Sequence, residues 1–382
     1  MQAGIEIEIE IEIEIGRKHY MTGSNMRNFV CPGDIYNATP PRIVFGVGAL
    51  EGIAAEVERL GARRAVLITT PGRGALGDRV AALIGERCVG LLAQAVSQVP
   101  IELARSAREE VKALDADCIV SVGGGAAIGL GKGISLELGL PIIAVPTTYS
   151  GSEVTGFCGI TIDGVKRMHT SLKMLASTIV YDPSLSVSLP PDVSAASALN
   201  ALAHCVDAVY VPTVSPMVRL AAAEGARVIA AAAPRVMAQP DDLDARTEML
   251  YGAYLGGVAL TGGFALQHGL AHVLGGSFGV PHGTSHSLVL PYVAAYNSRY
   301  ANGHLGAVAA AMGTDNLAGA IYDLAGKLGI EMGLGRAGLK QDQLDEAAQI
   351  TVDTDDGMNP GPVTLTAVRG ILDAAWAGTR PV

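Results

Sequence analysis

From Arg42 onward, short unbroken runs of apolar residues alternate with stretches in which apolar positions recur every three or four residues. The unbroken runs predict strands at Ile43–Phe45, Ala65–Thr70, Val89–Ala93, Cys118–Val122 and Pro141–Val145. The periodic stretches between them, Leu50–Leu60, a segment ending near Glu86, Ile101–Leu114 and Ala127–Leu138, predict helices, because residues three or four apart share a helix face. Strands that are apolar at every position and separated by helices form a parallel sheet covered on both faces. After Asp182-Pro183 the pattern changes. Helical periodicity dominates over Ala196–Val211, Met217–Val236, Ala245–Leu260 and Leu266–Leu274 and continues to Trp376, with Gly and Pro between the segments. The expected architecture is an α/β N-terminal domain over residues 27–182, its parallel sheet covered by helices, and an all-α C-terminal domain over 183–382. The active site is expected in the cleft between them.

Residues 1–26 stand apart from this pattern. Ile5–Ile15 alternates strictly between Ile and Glu and is followed by polar, tag-like sequence, so the segment reads as an appended tag with Met26 as the native start.

Composition changes the picture in two ways. The net charge of −10 and the lack of any Lys/Arg run argue against nucleic acid or an anionic membrane as partner. An anionic substrate would need a local positive pocket. The five cysteines, Cys31, Cys88, Cys118, Cys158 and Cys205, are widely spaced without a CxxC pair, which predicts free thiols in a reducing compartment, the cytoplasm. No apolar run is long enough to span a bilayer.

The candidate chemistry lies in three places. Gly123, Gly124 and Gly125 join the fourth strand to a helix, where backbone without Cβ atoms and uncapped N–H groups suit a pyrophosphate. Lys132, two turns further along that helix, reads equally well as a surface charge. The run Thr147-Thr148-Tyr149-Ser150-Gly151-Ser152-Glu153 follows the fifth strand at its carboxyl end, where open α/β sheets bind ligands. Together the two loops indicate a nucleotide. Finally, five of the eight histidines fall between Asn200 and His286. Asn200 and His204 share a helix face, as do His268 and His272, and His282 opens the next helix, so imidazoles from three elements converge on one cleft.

These motifs resemble those of the iron-containing alcohol dehydrogenase superfamily, whose fold includes the dehydroquinate synthase-like proteins. Similarity runs from about Phe29 to the C-terminus, and within the superfamily it is closest to the maleylacetate reductases. The family pattern GGGSxxDxxK is matched by Gly123 to Lys132, and Pro146 to Glu153 carries the PTT and GSE of PTTxxxGSE with two residues between them in place of three. The family's metal ligands, an Asp and three His, fall on Asn200, His204, His268 and His282. Two acidic residues of the pattern are missing, replaced by Asn200 and Gly129. Three imidazoles and a carboxamide lack the anionic ligand of hard-metal sites, so no catalytic metal is expected. Removing two negative charges also suits a dianionic substrate, since one unit charge ~4 Å from another is worth roughly 4 kcal/mol at an effective dielectric of ~20.

The resemblance implies reduction of the carbon–carbon double bond of maleylacetate to 3-oxoadipate by NADH or NADPH, in bacterial breakdown of aromatic compounds. It implies His204, His268 and His282 as the catalytic cluster and a protonated imidazole attracting the carboxylates. Asn200, Tyr149, Ser150, Lys166 and His272 are expected at the substrate, with His169 a second choice for the chemistry. Thr69, Gly124, Gly125, Thr147, Thr148, Ser152 and Lys166 are expected at the cofactor. A homodimer is also implied. Three alternatives stay open: a metal-dependent alcohol dehydrogenase in which Asn200 still ligates iron or zinc, a lyase of the dehydroquinate synthase type, and a nucleotide-binding protein without catalysis.

Overall fold

A computed structural model describes residues 41–163, 165–212 and 214–382. The Ile-Glu segment and Cys31 lie outside the described residues.

Six strands build one sheet: β1 (Arg42–Phe45), β2 (Ala65–Ile68), β3 (Cys88–Leu92), β4 (Cys118–Gly123), β5 (Ile142–Pro146) and, after a separate hairpin of β6 (Phe157–Ile162) and β7 (Val165–Thr170), β8 (Thr178–Tyr181). Their order is β1-β8-β5-β4-β2-β3 and every pairing in the sheet is parallel. Helices α1 (Ile53–Arg59), α2 (Gly74–Ile84), α3 (Ile101–Ala113) and α4 (Gly125–Leu138) supply the crossovers.

Strand alternation sorts the side chains into two cores. Ala65 and Leu67 join Cys118, Val120, Val122, Ile143 and Val145 on one face. Val66 and Ile68 join Ile119, Ile142, Ala144, Ile179 and Tyr181 on the other, where the core runs on into the helical half. Both faces being covered explains why the strands read as unbroken apolar runs. The order reverses at β2, because β3 lies on one side of it and β4 on the other. A crevice opens at the carboxyl ends of the strands at such a reversal.

The helical half comprises α5 (Pro191–Ala208), α6 (Pro216–Ala238), α7 (Leu243–Leu260), α8 (Leu266–Phe278), α9 (His282–Ala311), α10 (Leu317–Lys327), α11 (Leu344–Asp353) and α12 (Leu365–Ala377). No strand follows β8 among the described residues, and no described helix is long and apolar enough to cross a membrane.

Three strands escape the sequence reading. β8 is four residues long, as β1 and β2 are, and was passed over although its residues are all buried. The β6–β7 hairpin is half exposed and sits off the main sheet, so it lacks the unbroken apolar run of a doubly covered strand. Its Asp163-Gly164 dipeptide is a turn signal that marks it all the same, and Asp163 has φ of 51°.

Candidate active site

A cleft of about 630 Å³ lies between the carboxyl edge of the sheet, the β6–β7 hairpin and helices α5, α8 and α9. Its two ends differ in chemistry.

At the sheet end, Gly123 adopts φ of 146°, which strains any residue with a Cβ. A Cβ on Gly124 would stand 2.8 Å from Thr148 Cγ2, whereas one on Gly125 would meet nothing within 4 Å. Helix α4 starts here without a side-chain cap, so its first N–H groups are free to bind an anion. Gly125, Thr148 and Ser152 line the cleft, and Thr148 Oγ1 is buried with no protein partner. Thr69 and Thr147 are fully or nearly fully buried and Gly124 sits behind Thr148; none of the three is among the lining residues.

Lys132 is not a surface charge. It is 2% exposed, and its ammonium donates to Ser152 O, to Thr155 Oγ1 (3.1 Å) and to Phe157 O (2.8 Å), tying α4 to the loop after β5. Burial pushes its pKa down to about 8, against the pull of Cys158 and Glu153. Glu153 is equally buried and accepts a 2.8 Å hydrogen bond from the Tyr181 hydroxyl. Tyr149 is a correction to the substrate set. Its ring is 0% exposed in the core, and its hydroxyl accepts from the buried Arg246 guanidinium at 2.9 Å.

Ser150 stays in the cleft wall, its Oγ 3.3 Å from Ser152 Oγ. Asn200, 4% exposed, donates weakly to Ser150 O (3.5 Å) and leaves Oδ1 buried without a partner. Lys166 reaches the cleft from β7 across Gly159, where a Cβ would meet Lys166 Cε at 2.2 Å. Burial lowers its pKa, opposed by Cys158. His169, also on β7, is not among the lining residues. Gly129, at the missing motif Asp, faces Val99: an added Cβ would stand 2.8 Å from Val99 Cγ2. Val99 and its neighbour Gln98 both hold positive φ, 42° and 68°, at the rim of the cleft. Positive φ is rare for a β-branched residue, and such strain gathers at functional sites.

The other end of the cleft is built of imidazole. His204 from α5, His268 and His272 from α8, and His282 at the start of α9 all line it. The rings of His204 and His268 are 5.1 Å apart, and those of His272 and His282 5.8 Å. His286, one turn along α9, packs behind them, its ring 4.7 Å from His268 and 4.5 Å from His282.

These imidazoles are not equivalent. Burial first, and then their mutual repulsion, pushes His204 and His286 well below the usual histidine range; burial, Lys166 and the other rings do the same to His272. His282 is pushed to about 3 by its dense surroundings, then by Lys166 and His268, although its ring still opens on the cleft and water offsets part of that push. The expected protonated imidazole is therefore not found at these four. His268 differs because its Nδ1 lies 2.8 Å from Oδ2 of Asp207, a fully buried carboxylate. Asp207 also accepts from Ala265 N (2.7 Å) and from the Tyr210 hydroxyl. Burial alone would raise the Asp207 pKa, but the bonds from His268 and these other donors outweigh it and hold it low. An ionised Asp207 makes Nδ1 of His268 the donor. Nε2 is then left toward the cleft, buried without a protein partner. Sequence reasoning missed Asp207. Its position three residues after His204, one turn along the same buried helix face, was the available signal. It also missed Phe264, whose ring stands 5.4 Å from His268 and 5.9 Å from His272.

Two family models match the chain: "Iron-containing alcohol dehydrogenase" over residues 40–183 and "Fe-containing alcohol dehydrogenase family, C-terminal" over residues 194–376. A maleylacetate reductase of Burkholderia cepacia is 41% identical over 348 residues, covering 91% of this chain and 99% of that protein. The crystal structure of maleylacetate reductase from Agrobacterium tumefaciens superposes with a TM-score of 0.87 at 38% identity, covering 91% of this chain and 99% of that one. That of maleylacetate reductase from Rhizobium sp. strain MTP-10005 also gives 0.87 at 38% identity, covering 92% of this chain and 100% of that one.

Proposed function

The chain belongs to the iron-containing alcohol dehydrogenase family, and from that premise we propose that it is a maleylacetate reductase: an oxidoreductase that reduces the double bond of maleylacetate to 3-oxoadipate at the expense of NADH or NADPH, in the breakdown of aromatic compounds. The observation that carries this reading is the Asp207–His268 pair, opening on the same cleft as Lys166 and the uncapped start of α4.

The sheet end fits a nicotinamide dinucleotide. Gly125 and the N–H groups opening α4 would hold the pyrophosphate, and the orphaned Thr148 hydroxyl and Ser152 would bind polar groups of the cofactor. When bound, this cofactor supplies the hydride. Lys166 draws a carboxylate of the dianionic substrate into a protein of net charge −10. The Asn200 amide and Ser150 hydroxyl hydrogen-bond the substrate's polar groups. Negative charge collects on the ketone oxygen as the double bond is reduced, and a donor aimed at that oxygen stabilises it. His268 is the imidazole that a carboxylate equips for this, since Asp207 fixes its Nδ1 and leaves Nε2 toward the cleft where that oxygen would lie. His204 and His282, neutral, flank it as further hydrogen-bond groups, and His272 closes the far side. His204 Nδ1, Asn200 Oδ1 and Gln98 Oε1 are further polar atoms of cleft-lining residues that are buried without partners.

The family's iron does not fit this ligand set. Asn200, His204, His268 and His282 present no anionic donor, and the nearby carboxylate, Asp207, is turned to Nδ1 of His268. We therefore place the catalysis on side chains and derive no step through iron. We also place the domain boundary near Asp182, where strands give way to helices, the enzyme in the cytoplasm, and two copies in a dimer.

The test follows the absorbance of the reduced nicotinamide with maleylacetate and with simple aldehydes, in enzyme treated with EDTA. Turnover of maleylacetate that survives the chelator, with little on aldehydes, supports the proposal. Aldehyde reduction that disappears with EDTA and returns with iron would establish a metal-dependent alcohol dehydrogenase instead. His268→Ala is expected to lose most of the maleylacetate activity.

A further inference from the structure

We propose that His272, His282 and His286 form a binding site for a borderline divalent transition cation of the zinc class, offset from the family's iron position. One nitrogen from each of the three rings lies within 4.8 Å of the other two. Only one of them, His282, belongs to the family's ligand set. His204 and His268 are not part of this group.

The second observation is the way His286 is held. It is 0% exposed, and its Nδ1 lies 3.2 Å from Oε1 of Gln267, while Nε2 of Gln267 donates to the His286 carbonyl at 3.3 Å. With its amide nitrogen committed to that carbonyl, Gln267 offers oxygen to the ring, so Nδ1 of His286 carries the proton. Nε2 is left as a bare lone pair, buried and without a protein partner. Metal-ligating histidines are prepared in this way: the far nitrogen donates to an outer acceptor, which fixes the tautomer and the ring orientation. Gln267 is itself 0% exposed and makes both of these bonds to His286.

The geometry suits an ion with an open position. Nitrogens bound to one tetrahedral ion at ~2.1 Å stand roughly 3.4 Å apart, so modest ring rotations close the present spacing. His272 is half-buried and His282 exposed to the cleft, which gives the ion an entry path and leaves a fourth position for water. Soft and borderline cations accept a purely imidazole set, whereas iron of the family type asks for a carboxylate as well. An ion bound here takes His282 out of the proposed catalytic cluster, so occupancy would inhibit. That last step rests on the proposed function. The binding itself does not.

The experiment is titration of the EDTA-treated, dialysed full chain with Co²⁺, followed by its visible absorption, and with Zn²⁺, followed by calorimetry. One equivalent per chain is expected. His286→Phe is expected to weaken binding at least a hundredfold, and Gln267→Leu, which keeps all three ligands, about tenfold to a hundredfold. His204→Gln is expected to leave affinity within about threefold. Circular dichroism shows whether the His286 variant folds; His272→Gln, expected to lose binding likewise, serves if it does not. Absence of saturable binding overturns the site. So does binding that survives His286→Phe and Gln267→Leu but is lost in His204→Gln, because the ion would then occupy the family's position. Binding without inhibition of maleylacetate turnover, with the variant pattern intact, would leave the cation site standing and count against the role given to His282.

Discussion

Oδ2 of Asp207 accepts from Nδ1 of His268 at 2.8 Å, and that contact turns one imidazole among five toward a different task. Asp207 sits one turn along α5 from His204, so two helices must pack correctly before the pair exists. Asp207→Asn keeps the shape but removes the charge. We expect kcat to fall about tenfold to a hundredfold with a much smaller change in KM for the cofactor, because orientation and tautomer are lost rather than binding. Steady-state kinetics on both substrates checks this; an unchanged kcat would remove Asp207 from the mechanism.

Lys166 is the cation that lines the cleft without being tied down in the way Lys132 is. Replacing it by Met should raise KM for maleylacetate by about tenfold or more, equivalent to ~1.4 kcal/mol of lost attraction. The effect should shrink as salt is added, since screening weakens the same attraction in the wild type. Gly159→Ala should reproduce part of it, because the new methyl displaces the lysine stem.

Gly129→Asp restores the acidic residue of the family pattern. Its Cβ would meet Val99 Cγ2 at 2.8 Å, and its carboxylate would return negative charge to the cleft. A rise of about tenfold in KM for the dianion is expected, larger than that of Gly129→Ala, which meets Val99 without the charge. Equal effects of the two variants would show that space, not charge, governs this position.

Lys132→Met should cost about 2–4 kcal/mol in urea denaturation, because Ser152 O, Thr155 Oγ1 and Phe157 O lose a shared charged donor. Its pH signature has a definite sign. The native pKa is lowered to about 8 from the ordinary lysine value of 10.5, so between those values the unfolded chain holds the proton that the native chain has released. Stability contributed by this group therefore rises with pH across that window and falls as pH drops back through about 8. The wild type should show this increment and Lys132→Met should not.

The sheet was legible because doubly covered strands must be apolar at every position, and β2, β4 and β5 carry that signal in a few residues each. The half-exposed hairpin carries no such run, whereas β8 is as short and as fully buried as β2 and was passed over. The histidine cluster was legible from spacing alone, because i, i+4 positions share a helix face wherever the helix is placed. The hydroxyl-rich loop and the family resemblance also suggested Tyr149 as a cleft residue, and there they failed: which side of a loop enters the core depends on Arg246, about a hundred residues away.

Sequence by itself determined the class of architecture, the glycine-rich and hydroxyl-rich loops at the strand ends, the convergence of imidazoles, and the loss of the family's two acidic positions. These depend on local periodicity and on which residue occupies which position. Tertiary structure alone decided the rest: that Asp207 serves His268, that Gln267 fixes His286, that Lys132 is a buried tie, and that Val99 fills the space beside Gly129. Each depends on side chains brought within about 3–4 Å from separate elements, and at that range hydrogen bonding and desolvation set charge and role.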